Sequence, residues 1–279
     1  MFIKRLLSAI VMIALLVGAI ILGGSFFAFF GMIIAVLSLW ELLKAAGLTD
    51  KNEGKLFVVY CEQVIAILTY INGEIFGFFS SAAVWLMIFL IILLSVYVFE
   101  FNKYTFRDIA IFLFAFVYTC ILPIFMVDIR NNHQNGLLLV WFVFIPPVAS
   151  DTFAYCFGML FGKHKLAPVV SPKKSIEGSV AGVLGAAIVT AVYGYFIQDK
   201  LGAQSGFVAA CFVIGLLCGG ISQMGDLAAS AIKREFSIKD YSNIIPGHGG
   251  VLDRVDAIIY VSPLCYGAVL FLEAAFMGL

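Results

Sequence analysis

Residues 230–256 read SAIKREFSIKDYSNIIPGHGGVLDRVD, a polar stretch held between two long apolar runs. It collects Lys233, Arg234, Lys239, Asp240, His248, Asp253, Arg254 and Asp256, and Asp226 stands just upstream in Gln223-Met224-Gly225-Asp226. Flanked by segments long enough to cross a bilayer, such a stretch belongs at a membrane surface. Carboxylates, cations and a Pro-Gly-His-Gly-Gly turn gathered in one place suit a metal and phosphate groups. The remaining chain reads as the means of holding that chemistry at the bilayer.

Composition sets the class. Of 279 residues, 63% are hydrophobic and 12% charged, and the mean hydropathy is +1.07. Soluble domains carry about 25% charged residues, so this is an integral membrane protein. The net charge is zero, and no basic domain exists to bind nucleic acid. Six cysteines (Cys61, Cys120, Cys156, Cys211, Cys218, Cys265) are scattered through apolar segments without a C-x-x-C pair, which reads as small buried hydrophobes. Lys4-Arg5 and the apolar run to Leu22 imitate a signal peptide, but no A-x-A site follows, so this is read as a retained first span.

About nine apolar segments approach the roughly 20 residues that a span requires: 5–22, 26–43, 56–71, 78–99, 108–127, 137–161, 176–197, 206–233 and 255–277. The breaks carry turn chemistry, as at Gly23-Gly24-Ser25, Asn72-Gly73-Glu74 and Gly202-Ala203-Gln204-Ser205-Gly206. With the N-terminus cytoplasmic and the C-terminus outside, every basic residue except Arg130 and Lys200 falls on the cytoplasmic side, 15 of 17. That asymmetry follows the positive-inside rule. The expected fold is an all-α, polytopic membrane helix bundle forming one domain over 1–279. Residues 1–135 supply N-terminal helices, and 136–279 form a catalytic half with cytoplasmic loops 162–175 and 234–254.

Several groups are candidates for chemistry. Acids at or within spans are functional hypotheses by default, and magnesium takes one or two protein carboxylates. Asp226, at a span's end, and Asp253, after Gly249-Gly250, are the candidate pair. The bland alternative pairs Asp226 with Lys233, seven residues on, and Asp253 with Arg254. His248 either contacts a phosphate or caps its turn, where the glycines let backbone N–H groups approach an anion. Ser175 is a candidate N-cap for the seventh span, beside Lys173 and Lys174. This is a second anion site by the helix dipole, or else ordinary positive-inside anchoring. Asp151 follows Pro146-Pro147, which are expected to break or kink the sixth span and turn the acid toward the bundle interior. Gly178-Ser179-Val180-Ala181-Gly182 reads as a helix-packing pattern.

Ser230, Lys233, Arg234, Lys239, Asp240, Pro246, His248, Gly249, Gly250, Asp253, Arg254 and Asp256 fall in S-x-x-K-R-x-x-x-x-K-D and P-x-H-G-G-x-x-D-R-x-D. This long gapped pattern resembles the signature of the phosphatidate cytidylyltransferase (CDP-diacylglycerol synthase) family. Asp151-Thr152-Phe153-Ala154-Tyr155 and the block from Gly162 to Gly178, with Lys173, Lys174, Ser175 and Glu177, resemble it too. Ala229 departs, since some members carry a glutamate there. The resemblance implies CTP + phosphatidate → CDP-diacylglycerol + pyrophosphate, with Mg2+, at the cytoplasmic face of the cell's inner membrane. Asp226 and Asp253 would hold the metal, with Asp240 and Asp256 available to a second cation. Asp226, Asp253, Lys233, Arg234, Arg254 and Asp256 would be catalytic. Asp151, Lys173, Lys174, Ser175, Glu177, Lys239, Asp240, His248, Gly249 and Gly250 would bind substrate. The partners expected are the two substrates, the bilayer and a second copy in a homodimer. The competing readings are a CTP-using polyprenol or phytol kinase, which would release CDP, and an ion-coupled transporter, against which no inverted repeat is visible.

Overall fold

The computed structural model describes residues 2–49 and 78–278, and it is built almost wholly of helices. They are α1 (Phe2–Leu22), α2 (Gly24–Ala45), α3 (Phe78–Phe99), α4 (Phe106–Asn132), α5 (Gly136–Phe161), α6 (Ile176–Leu201), α7 (Phe207–Glu235) and α8 (Leu252–Met277). Six of them, α2 and α4 to α8, are long and apolar enough to cross a membrane. Their bounds lie within a few residues of the expected spans, and the expected span at 56–71 falls outside the described residues. One expectation needs correcting. The expected all-α class omits an antiparallel hairpin within the loop 162–175, β1 (Lys165–Ala167) and β2 (Ser171–Ser175), with Lys165 opposite Ser175. Among the described residues the fold is therefore helical with one small sheet.

The chain divides into two compact units, Met1–Ile124 with Ile238–Arg254, and Phe125–Ser237 with Val255–Leu279. In the first, α4 opens with a capping box. The Thr105 side chain accepts from Asp108 N–H at 3.2 Å, and Asp108 accepts from Thr105 N–H at 2.8 Å. Phe89 of α3 stacks on Phe116 of α4 with centroids 4.0 Å apart. Immediately after Phe116, α4 widens into a π-turn at Val117–Ile121, where the buried Thr119 hydroxyl donates to the Ala115 carbonyl at 2.8 Å.

In the second unit, α5, α6 and α7 approach closely because small residues line their contacts. At Gly182 of α6 a Cβ would stand 2.7 Å from both the Ser150 carbonyl of α5 and the Gln223 Nε2 of α7. The Gly178–Gly182 pattern does pack helices, as its spacing suggests. Gln223 then ties the three together: its Nε2 donates to Ser150 Oγ (2.9 Å) and to the Ser179 carbonyl (3.0 Å), and its Oε1 accepts from Ser179 Oγ. A buried amide with both ends satisfied fixes the relative register of its helices. The other face of α6 presents Val180, Leu184, Ile188 and Val192, all exposed at fourfold spacing, an apolar stripe fit for lipid.

The prolines do not end α5. The helix Trp141–Phe161 runs through Pro146 and Pro147, which corrects the expected break. Pro146 has no N–H for the Phe142 carbonyl, and the Cys265 thiol of α8 donates to that carbonyl instead, at 3.1 Å.

Candidate functional site

The second unit holds a cleft of about 420 Å³ whose wall includes Asp151, Lys173, Lys174, Ser175, Gln223 and Asp226. Tyr155, Met159 and Leu166 supply an apolar side to the same cleft. Five residues proposed from sequence thus meet, contributed by α5, β2, the start of α6 and the middle of α7.

Each is placed by a local reason. Ser175 ends β2 and caps α6, accepting from Gly178 N–H at 3.2 Å, as its position before an apolar run suggests. The helix end therefore opens beside the cleft with its positive dipole end. Lys174, one residue earlier, pairs through Nζ with Asp226 Oδ2. The bland alternative for Asp226 is thereby corrected: its partner is a lysine 52 residues upstream. Asp226 lies well inside α7, nine residues before Glu235, rather than at the end of the span. Asp151 lines the cleft, on the side of α5 that faces α6 and α7.

Glu177 has a different position. Its carboxylate accepts from the backbone N–H of Lys163 (3.1 Å) and of His164 (3.2 Å to Oε2), and lies 2.6 Å from His164 Nδ1. It anchors the entrance to the hairpin. Arg234, in the last turn of α7, reaches the Val170 carbonyl of the hairpin at 3.5 Å through Nε, and Lys233 beside it is half-buried. Asp256 is buried, and its Oδ1 accepts from Ala257 N–H at 2.7 Å.

The first unit carries the rest of the signature in the loop before α8. Asp253 Oδ2 accepts from Tyr241 N–H (2.9 Å) and Gly250 N–H (3.1 Å), so this carboxylate closes the loop from Asp240 to Gly250. Gly249 has φ +84°, in the left-handed region that favours glycine, and bridges to Ile245. The Nδ1 of His248 is 2.9 Å from Ser8 Oγ of α1. Lys239, Asp240 and Arg254 are exposed.

One residue escaped the sequence reading. Glu41 of α2 is completely buried, and its carboxylate accepts from Val251 N–H (2.9 Å), Leu252 N–H (2.7 Å) and the Ser242 hydroxyl. The signal that could have found it is the one applied to Asp226: an acid inside an apolar span.

The cleft offers lysines and a helix N-terminus to anions and carboxylates to a cation. Magnesium is a hard ion that completes its shell with water and substrate phosphates. Among the described residues no group of three or more His, Cys, Asp or Glu side chains is arranged to hold a metal. Two acids beside two lysines fit a cation that arrives with phosphate.

Comparison with known proteins identifies the family. The chain matches the family model described as the Cytidylyltransferase family over residues 3–272. It is 32% identical over 260 residues to the phosphatidate cytidylyltransferase of Staphylococcus haemolyticus, covering 93% of this chain and 96% of that protein. It is 31% identical over 268 residues to the enzyme of the same name in Staphylococcus aureus (strain COL), again covering 93% and 96%. Matches of this length take in both units and both halves of the signature, and the chain belongs to the cytidylyltransferase family.

Proposed function

We propose that this protein transfers the CMP moiety of CTP to phosphatidate, giving CDP-diacylglycerol and pyrophosphate for phospholipid biosynthesis. The observation that carries the reading is the Lys174–Asp226 pair in a cleft lined on one side by apolar residues, within a chain of this family. A phosphatidate phosphate oxygen attacks the α-phosphorus of CTP, forming the new P–O bond. The bond from that phosphorus to the oxygen bridging the β-phosphate breaks, and pyrophosphate leaves with the electron pair. The nucleophile is already an anion, so no strong general base is demanded.

The protein's work is then positioning and charge. Lys173, Lys174 and the Ser175-capped end of α6 draw the phosphates, and Lys233, Arg234 and Arg254 balance charge on the departing pyrophosphate. Tyr155, Met159 and Leu166 suit the glycerolipid end. On sequence grounds Asp226 and Asp253 would each be a candidate ligand of Mg2+, and Asp240 and Asp256 candidates for a second cation. The chemistry a bound magnesium supplies is neutralisation of the triphosphate and polarisation of the α-phosphorus. We place the cleft on the cytoplasmic side of the inner membrane, with about nine spans and a cytoplasmic N-terminus, from the distribution of lysine and arginine. A homodimer belongs to the same proposal.

The test is synthesis by detergent-purified protein given phosphatidate, labelled CTP and magnesium. Magnesium-dependent CDP-diacylglycerol and pyrophosphate, lost in Asp226→Asn, is the expected result. Release of CDP onto an added polyprenol, or no lipid product from folded wild type, would overturn it.

A further inference from the structure

The loop from Asp240 to Asp253 carries most of the signature, yet its shape is imposed by a side chain outside it. Glu41 sits on α2, about 200 residues upstream in sequence. It is fully buried and uses both oxygens: Oε1 accepts from Val251 N–H and from the Ser242 hydroxyl, and Oε2 accepts from Leu252 N–H. Two of these donors are backbone groups at the start of α8, which have no partner within their own helix. The third is at the opposite end of the loop, ten residues before Leu252. One carboxylate therefore closes the loop's two ends together.

Steric fit supports the same relation. A Cβ at Gly250 would stand 2.7 Å from both Glu41 oxygens, so only glycine lets the backbone lie against this carboxylate. The neighbouring helix adds a weaker tie, since Ser8 Oγ donates to the Pro246 carbonyl at 3.2 Å and lies beside His248 Nδ1. Asp253 then closes the loop from inside, on Tyr241 and Gly250 N–H. Asp253 holds the Gly250 N–H and Glu41 the Val251 N–H, so the two acids fix the consecutive peptides on either side of the Gly250 Cα.

We propose that Glu41 is a positioning residue for the transfer reaction: it preforms the 242–252 loop so that His248 and Gly249 meet the nucleotide phosphates, and Asp253 the cation that accompanies them, without reorganisation. This rests on the functional reading above. A buried acid in a span costs several kcal/mol to desolvate unless its hydrogen bonds are met. Such a residue is retained for what its bonds hold in place. Glutamine preserves the shape but replaces one acceptor oxygen by an NH2 donor, which would face a backbone N–H or the Ser242 hydroxyl. Alanine removes all three bonds.

The experiment uses the full chain in detergent. kcat and KM for CTP and for phosphatidate are measured per folded molecule for wild type, Glu41→Gln and Ser242→Ala, with hydrogen exchange at the Val251 and Leu252 amides. In Glu41→Gln we expect kcat/KM for CTP to fall roughly tenfold to a hundredfold, the scale of a modest misplacement of reacting groups. KM for phosphatidate should stay within about twofold, and the two amides should lose protection. Ser242→Ala, which leaves both backbone bonds in place, should lose about threefold by the same measure. Wild-type kinetics in Glu41→Gln overturn the proposal. So does a variant that is merely less stable, with wild-type kcat and KM in the molecules that remain folded. Should Glu41→Gln fail to fold, Ser242→Ala decides alone: unchanged kinetics reject the proposal and a selective loss on CTP supports it. Absence of CDP-diacylglycerol from wild type would overturn the transferase reading itself and this inference with it, a result distinct from a normal wild type with an unaffected variant.

Discussion

The Nζ of Lys174, in β2, pairs with Oδ2 of Asp226, in α7, inside the cleft of the second unit. The two side chains keep 24% and 31% of their exposure, although the Lys174 Nζ itself is closed to solvent, so the two charges balance one another at the cleft wall. The pair's value lies in placing a cation and an anion side by side where phosphate and metal are expected.

Activity and stability should therefore separate at this pair. Asp226→Asn and Lys174→Met are each expected to lower kcat/KM by about a hundredfold or more, the scale seen on loss of one group that stabilises developing charge. Thermal midpoints in detergent should move by only a few degrees. A large fall in midpoint with normal turnover in the surviving fraction would show the pair to be structural.

Gly182 should tolerate no side chain. Gly182→Ala places a methyl 2.7 Å from the Ser150 carbonyl and the Gln223 amide, which must move apart. Overpacking of this kind costs about 1–3 kcal/mol, read as a lowered midpoint on thermal unfolding in detergent. Gly220→Ala, four positions before Met224 on α7, is the control, since its nearest new neighbour is Val183 Cγ2 at 4.0 Å.

Ser175→Ala should lose the α6 cap. The hydroxyl accepts from Gly178 N–H at 3.2 Å, and caps of this type are worth about 1 kcal/mol. Because the same helix end faces the cleft, KM for a phosphorylated substrate should rise as well. Ser175→Thr, which keeps an acceptor oxygen, should restore most of both.

His133 makes stability depend on pH. It lies between α4 and α5, with Nε2 3.6 Å from Asp128 and Nδ1 2.7 Å from Glu273, and the Tyr266 ring packs edge-on to it. The Asp128 carboxylate, reinforced by the hydrogen bond to Glu273, holds the imidazole pKa above its ordinary 6.5. A raised folded pKa contributes stability that is complete below about 6.5 and fades as pH rises through the folded value. The midpoint of wild type should thus fall on passing from mildly acidic to alkaline buffer, and His133→Gln should flatten that slope. An equal slope in the variant would remove His133 as its cause.

The helices were legible because a span declares itself in composition. Segments such as 78–99 and 176–197 needed only length and hydropathy, and both recur as helices in the structure. The cap at Ser175 was legible for a local reason, a serine before an apolar run. What escaped depended on distant partners or on backbone detail. Lys233 was the natural partner for Asp226 by helical spacing, but Lys174 reaches it through a hairpin that charged and polar residues at 163–175 do not announce. The π-turn after Phe116 leaves no mark in hydropathy. Glu41 was hidden by the averaging that revealed its span, since one acid hardly alters the mean over about twenty residues. Of the break or kink expected at Pro146 and Pro147, the break does not occur, and a thiol supplies one of the bonds that the prolines remove.

That thiol sets an order of assembly. The carbonyl of Phe142 and the sulfhydryl of Cys265 are 123 residues apart. At about 5–20 residues per second, a ribosome needs roughly 6–25 s to make the intervening chain. Through that interval α5 sits in the bilayer with its proline-orphaned carbonyl awaiting a donor, a costly condition in hydrocarbon. The arrival of α8 thus closes this gap in α5. A nascent chain halted before Cys265 would present this exposed backbone to membrane quality control, whereas the finished chain conceals it.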